Sequence, residues 1–83
     1  MAMQITVQFF SQLRELAGAS EEVVELPEGS TADDLLQLLY QLHPPLARWD
    51  RNILIGAGVE FVERDHPLQP EESIAIMPPV QGG

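Results

Sequence analysis

One long amphipathic helix is the feature that most constrains how this chain can fold. Leucines recur at helical spacing from Leu35 to Leu42, and their neighbours widen the apolar stripe into a broad face. Ser30 or Thr31 can cap the start of the helix, and Pro44 disfavours helical geometry at the residue before it, so the helix should end near Leu42. A face this broad must pack on another apolar layer, which the rest of the chain has to supply.

Segments with strand-like patterns lie on both sides of this helix. Residues 4–10 alternate polar and apolar side chains, as a half-buried strand does. One face of that strand consists of Ile5, Val7 and Phe9. Four more strands are predicted, at residues 21–26, 52–57, 59–62 and 73–77. The first two strands should form a hairpin, and the segments on either side of Gly58 are expected to pair.

The connections complete a single α+β domain. Ser11 is a candidate cap for a short helical turn that ends at Gly18. Residues 46–50 fit either a second helical turn or a loop. The resulting order is strand, strand, helix, strand, short strand, strand, without internal repeats. We therefore predict an α+β roll in which one main helix covers one face of a mixed sheet.

The charge balance narrows the choice of partners. Among 83 residues, thirteen acidic side chains face four basic ones, which gives a net charge of −9. Such a chain repels phosphate backbones and anionic lipid surfaces, so neither nucleic acid nor a membrane is an expected partner. There is no cysteine, and hence no disulfide framework, thiolate zinc site or thiol nucleophile. No secretory signal or membrane-spanning run is recognisable, and we expect a cytoplasmic protein.

The sequence gives no sign of a catalytic role for most other residues. The acidic residues are scattered, so no metal site is expected. His43 at a helix end and His66 in a turn have no obvious catalytic partner, and capping or surface roles are favoured. Residues 56–58 contain two glycines but lack the lysine and following helix of a phosphate loop, and they are interpreted as a turn. Trp49 is expected at the edge of the core.

The last residues of the sequence are different in kind. Gly82 and Gly83 have no side chains, so they can enter a channel too narrow for a Cβ atom and present a bare α-carboxylate to another protein. Chain ends are also commonly frayed, and two glycines alone do not decide between these interpretations. The residues that precede the two glycines favour the functional interpretation.

The segment from Met77 to Gly83, with its Pro-Pro-Val and diglycine, resembles the small, sulfur-carrying subunit of molybdopterin synthase, a ubiquitin-like β-grasp family. Residues 7–18, with Phe-Phe and Arg-Glu-Leu, are similar to the first strand and following turn of that family, and residues 65–68 also match. The chain departs from the pattern at Pro70-Glu71-Glu72, where relatives often have a Gly-Asp turn.

The resemblance implies a role as a sulfur donor. An adenylating enzyme would use ATP to activate the carboxylate of Gly83, and a sulfur donor would convert it to a thiocarboxylate. That group would give its sulfur to the cyclic pyranopterin precursor held by the large synthase subunit. The chain would therefore not be catalytic alone and would bind no cofactor itself. It would work as one half of a two-subunit sulfurtransferase, a heterotetramer of two small and two large subunits.

The resemblance also implies a domain division and a binding surface. Residues 1–77 would form the β-grasp domain and residues 78–83 an extended tail. In a β-grasp sheet the first and last strands are neighbours, so alternation puts Phe10 and Met77 on the face away from the helix. We expect both side chains to be solvent-accessible in the isolated chain and buried in the complex. The other predicted partner-binding residues are Pro78, Pro79, Val80, Gln81 and Gly82.

Three alternatives remain open at this point. A ubiquitin-like protein modifier would share the diglycine, although a chain without lysine could not build lysine-linked chains of itself. The sulfur carrier of the thiazole pathway shares the fold and tail, but the Pro-Pro-Val and Phe-Phe signatures favour the molybdopterin branch. The third alternative is a plain interaction domain with a frayed end.

Overall fold

The computed structural model describes residues 1–79, which form an α+β domain as predicted. In chain order the elements are β1 (Ala2–Phe9), α1 (Gln12–Ala17), β2 (Glu21–Pro27), α2 (Ala32–Leu42), a 3-10 helix (Pro44–Asn52), β3 (Leu54–Ala57), β4 (Glu60–Val62) and β5 (Ser73–Met77). The open alternative at residues 46–50 is thereby settled as helical. None of the helices within residues 1–79 is long and apolar enough to cross a membrane.

The five strands form one mixed sheet in the order β2-β1-β5-β3-β4. β1 and β5 are parallel neighbours, with Phe9 opposite Ile76. The other three pairings are antiparallel, and β3 places Leu54 opposite Met77. The structure confirms the predicted hairpin of the first two strands, the pairing of β3 with β4 and the side-by-side placement of the first and last strands.

The core lies between the sheet and its helices. The predicted inner face of β1 is buried, as are Ile74 and Ile76 of β5. Three leucines of α2 are completely buried against them, namely Leu35, Leu36 and Leu39. Leu13 of α1 and Leu46 of the 3-10 helix join the same cluster, and Trp49 packs at its edge as expected. Each fully buried aliphatic side chain of this kind contributes about 1.5–3 kcal/mol relative to an exposed one.

Local backbone chemistry fixes the ends of the helices. Thr31 caps α2: its hydroxyl accepts from the Asp34 amide at 3.3 Å, and the Asp34 carboxylate accepts from the Thr31 amide at 2.9 Å. The Ser30 hydroxyl donates instead to the carbonyl of Pro27 at 2.7 Å. Gly18 ends α1 in the left-handed region with φ 77°, as a glycine C-cap does.

Two turn residues show where the sequence was harder to interpret. Ser11 was expected to cap α1, but its side chain makes no capping hydrogen bond and its backbone has φ 54°. That prediction is wrong because the chain reverses at Ser11 in a tight turn, in which the Leu13 amide donates to the Phe10 carbonyl at 3.1 Å. Glu71 also has a positive φ, 63°, in the turn where relatives often have glycine.

A polar network joins the helical layer to the segment after β4. Arg64 Nη1 lies 3.0 Å from the Asp33 carboxylate of α2 and 2.9 Å from the Asp50 carboxylate of the 3-10 helix. Arg64 Nη2 also donates to the backbone carbonyl of Asp50. The Tyr40 hydroxyl donates to Asp50 Oδ1 at 2.6 Å. Four side chains from three parts of the chain thus share one cluster, which we call the Arg64 network.

The network shifts the pKa values of Tyr40 and Asp50 in opposite directions. Burial, followed by the hydrogen bond to Asp50, raises the pKa of Tyr40 well above its ordinary value of 10.0. The hydrogen bonds from Tyr40 and then Arg64 lower the pKa of Asp50 below its ordinary 3.8. The stability that Asp50 contributes is therefore present above its ordinary pKa and lost as the pH falls through the lower folded value. For Tyr40 the stability is present below pH 10.0 and lost as the pH rises through the higher folded value.

Titration of the phenol tests this network directly. Tyr40 is the only tyrosine in the chain, so the ultraviolet absorbance of tyrosinate reports this residue alone. We expect a midpoint well above 10.0 in the folded protein. Asp50→Asn should move the midpoint back toward the ordinary value, because it removes the anion that accepts the phenol proton. A wild-type midpoint near 10.0 would contradict the hydrogen bond between Tyr40 and Asp50.

Candidate docking face

The face of the sheet opposite α2 carries a group of apolar side chains that the described residues do not cover. Ile74 and Ile76 are buried under α2, so the alternating residues Ala75 and Met77 point to the other side. Gly56 lies opposite both Ala75 and Phe61, which places Phe61 on the same side. We call this surface the open apolar face; its members are Phe10, Val23, Leu54, Phe61, Ala75 and Met77.

The exposure of its two predicted residues differs. Phe10 is 46% exposed, so its predicted accessibility is confirmed. Met77 is partly exposed, so its predicted accessibility is confirmed only in part. A Cβ atom on Gly56 would lie 3.6 Å from Met77 Cε, which shows that the Met77 side chain lies over this glycine. Packing over Gly56 therefore shelters part of the Met77 side chain.

Phe61 is the most exposed of the members of the open apolar face that the sequence did not single out. It is 66% exposed, more than Phe10, and it lies on the edge strand β4. The sequence of β4 contained a weak indication of this position. Val62 packs on the core, so its neighbour Phe61 must point to the other face of the sheet. A strand of three residues is too short for alternation to decide which face a side chain occupies. The pairing of Phe61 with Gly56 is what places the Phe61 ring on the open apolar face.

The open apolar face lies where the last described strand ends. Because β1 and β5 are parallel and Phe9 lies opposite Ile76, the next residues, Phe10 and Met77, lie side by side at one end of the sheet. The Phe10 amide donates to the Ile76 carbonyl there at 3.2 Å. Pro78 and Pro79 come next and are half-buried. The other predicted tail residues, Val80, Gln81, Gly82 and Gly83, lie outside the described residues, so their roles stay predictions.

The opposite border of the same face is acidic. Glu21 and Glu25 of β2 pair with Gln8 and Gln4 of β1, and all four side chains are exposed. Their alternation with buried residues puts them on the side of the sheet away from α2. The face thus changes from apolar at β5, β3 and β4 to negative at β2, which suits a partner with an apolar centre and a basic border.

Each histidine lies beside a glutamate, and the predicted capping role is confirmed for His43 at the end of α2. His43 Nε2 lies 2.6 Å from the Glu22 carboxylate and its backbone caps α2. His66 Nε2 lies 3.1 Å from the Glu72 carboxylate in the turn before β5. Within residues 1–79 no three histidine, cysteine or acidic side chains are grouped so that they could hold a metal ion.

Comparisons with known proteins agree with this arrangement. The model of the ThiS family matches residues 7–83. The molybdopterin synthase sulfur carrier subunit of Chlamydomonas reinhardtii is 34% identical over 83 residues, which cover 98% of this chain and 100% of the relative. Small archaeal modifier protein 1 of Methanosarcina acetivorans has a TM-score of 0.81 at 25% identity, covering 100% of this chain and 99% of that one.

A further structure shows likeness of fold alone. It is a chain from the complex of subunits 1 and 2 of molybdopterin-converting factor from Helicobacter pylori 26695, with a TM-score of 0.63 at 23% identity, covering 98% of this chain and 100% of that one. The predicted ubiquitin-like β-grasp fold is confirmed by these likenesses. With a family model matched over residues 7–83 and a full-length relative at 34% identity, the chain belongs to the ThiS family and is similar to the sulfur carrier subunits of molybdopterin synthase.

Proposed function

We propose that this chain is the sulfur carrier subunit of a molybdopterin synthase and acts in molybdenum cofactor biosynthesis. The observation that carries the proposal is its 34% identity to such a subunit over 98% of the chain. In the sequence, Gly82-Gly83 comes after β5 and the intervening residues 78–81, and β5 carries part of the open apolar face. A small domain that presents a reactive end and a docking surface suits a carrier better than a self-sufficient enzyme.

The chemistry of the carrier resides in the carboxylate of Gly83. A carboxylate is a poor acyl donor, so an activating enzyme joins it to the α-phosphate of ATP, with loss of pyrophosphate. A sulfur donor then displaces AMP and leaves a thiocarboxylate. The thiocarboxylate sulfur is a soft nucleophile that attacks a carbon of the cyclic pyranopterin precursor and displaces an oxygen leaving group from that carbon. Hydrolysis of the resulting thioester leaves the sulfur on the pterin as a thiol and returns the Gly83 carboxylate. The chain itself has no cysteine that would compete for the sulfur.

We infer that two subunits share the reaction: this chain supplies the tail, and a second subunit holds the substrate. Residues 78–83 can extend about 20 Å at the usual rise per residue, which is far enough to enter a neighbouring protein. Pro78 and Pro79 stiffen the base of this segment and reduce the entropy lost on insertion. The large subunit supplies the pocket and the acid–base groups, and the open apolar face supplies the contact that holds the two together in a heterotetramer of two small and two large subunits.

A second candidate, a protein modifier, is favoured by one specific observation. The likeness to small archaeal modifier protein 1 has a TM-score of 0.81 at 25% identity over the full chain. A modifier would use the same activated Gly83 but would pass it to an amine of a target protein and not to a sulfur donor. The two candidates therefore differ in the fate of one acyl group.

Mass spectrometry of the protein from its native host separates these candidates. We expect a population whose mass is higher by about 16 Da at Gly83, the difference between sulfur and oxygen. Attachment of the chain to lysines of other proteins, without the thiocarboxylate, would favour the modifier instead. Finding neither form under conditions of active cofactor synthesis would contradict both candidates.

Shortening the tail tests the site of the chemistry. Deletion of Gly83 should abolish sulfur transfer in a reconstituted synthase and leave the melting temperature unchanged, because the fold of residues 1–77 does not depend on it. Gly82→Val is the companion variant: a β-branched side chain should slow adenylation or transfer, since it blocks a narrow channel. Undiminished dithiolene formation by the deletion variant would rule out Gly83 as the reactive residue.

Charge placed on the open apolar face tests the docking surface. Phe10→Asp and Met77→Asp should each weaken binding of the large subunit by at least about tenfold, or about 1.4 kcal/mol, because an anion would be buried in the interface. Met77→Asp should also lower the melting temperature somewhat, since Met77 packs over Gly56. Leu42→Asp adds the same charge to an exposed leucine on the helical side and is the control. Loss of stability as large as the loss of binding would mean that Phe10 and Met77 serve the core.

A further inference from the structure

The edge strand β4 is the least supported part of the open apolar face. It has three residues and pairs on one side only, with β3. Glu60 and Phe61 are exposed, so Val62 alone packs on the core. Short edge strands with few buried contacts open easily. Phe61 therefore needs another restraint if its ring is to stay in one place.

The Arg64 network provides such a restraint two residues beyond the strand. Arg64 joins both the Asp33 carboxylate of α2 and the Asp50 carboxylate of the 3-10 helix, at 3.0 and 2.9 Å. The backbone is tied at the same place, because the Asp33 amide donates to the Arg64 carbonyl at 2.9 Å. That amide belongs to the first turn of α2, where no intrahelical acceptor is available. The end of β4 is thus attached to the helical layer by both side chain and backbone.

Arg64 differs in this respect from the other cations of the chain. Within residues 1–79, Arg64 is the arginine that forms salt bridges. The other arginines are exposed, namely Arg14, Arg48 and Arg51. The Tyr40 hydroxyl donates at 2.6 Å to the same Asp50 oxygen that accepts from Arg64, so the acceptor itself is restrained from a second element. The guanidinium group can hold two carboxylates and a carbonyl at once because its donors are arranged in one rigid plane.

The network restrains position more than it adds stability. The side chains of Arg64, Asp33 and Asp50 are 35%, 45% and 40% exposed. Ion pairs with this much exposure contribute little to the free energy of unfolding, since water solvates the partners when the pair is broken. Removing Arg64 should therefore leave the domain folded but allow β4 to move.

We infer that Arg64 is a positioning residue for partner binding: from outside the open apolar face, it fixes β4 and thereby the Phe61 ring that the partner contacts. The inference rests on the proposed function, because it needs the large subunit as the partner. A ring held in place before binding loses less conformational entropy on association. Arg64 thus acts on affinity through Phe61 and makes no contact of its own.

A double-mutant cycle tests this coupling, with binding to the large synthase subunit of the same organism measured by calorimetry well below the melting temperature. Arg64→Ala should weaken binding about five- to tenfold when Phe61 is present and less than about twofold in the Phe61→Ala background. Arg64→Lys keeps the charge but cannot hold all three acceptors, so it should bind with intermediate affinity. Arg48→Ala, which removes an exposed arginine of the 3-10 helix, is the matched control and should bind like the wild type.

The outcomes separate this inference from the proposed function. If Arg64→Ala costs the same affinity with and without Phe61, or costs none, the positioning role is wrong even though the docking surface stands. If Arg64→Lys binds like the wild type, charge alone is responsible, which also overturns the inference. If Phe61→Ala and Phe10→Asp both leave the affinity unchanged, the open apolar face is not the docking surface, and the inference fails with it.

Discussion

A single layer of helices can cover only one face of a five-stranded sheet, and this constraint determines what the other face can be. The core gathers α1, α2 and the 3-10 helix on one side, through Leu13, Leu36 and Leu46. The apolar residues that alternate with the buried ones have no helix to pack on. In a domain of this size they stay exposed or find a partner, because burying both faces of the sheet would need a third layer.

The parallel pairing of β1 with β5 then decides where the exposed residues meet the end of the chain. Parallel neighbours finish at the same edge of the sheet, so Phe10 and Met77 come together there. The antiparallel β3 starts at that edge and brings Leu54 opposite Met77. A docking surface and the residues that lead to the tail are therefore neighbours as a consequence of topology.

Local sequence signals predicted most of the elements, whereas the pairing of distant segments decided the rest. Alternation in β1, the leucine spacing of α2 and Gly18 as a cap were readable because neighbours in sequence carry each signal. Phe61 and Arg64 were not singled out, since their roles depend on β4 lying beside β3 and on Asp33 and Asp50 meeting from separate helices. The cap predicted at Ser11 was wrong because serine is a common capping residue, but the turn after Phe10 gives the Ser11 backbone a conformation in which its side chain makes no capping hydrogen bond.

The proposed carrier role would require an interface that is specific and also reversible, because the chain would have to leave one partner and join another. The open apolar face meets both needs with few side chains: Phe10 and Phe61 are exposed rings, while Met77 is already half sheltered by Gly56. Sheltering Met77 limits the apolar area left in water when the chain is free, which limits self-association. The glutamates along β2 add to this effect, because charges on an edge strand oppose pairing with another copy. The same charges would attract a basic border on the proposed partner, so the features that oppose self-association would also favour that partner.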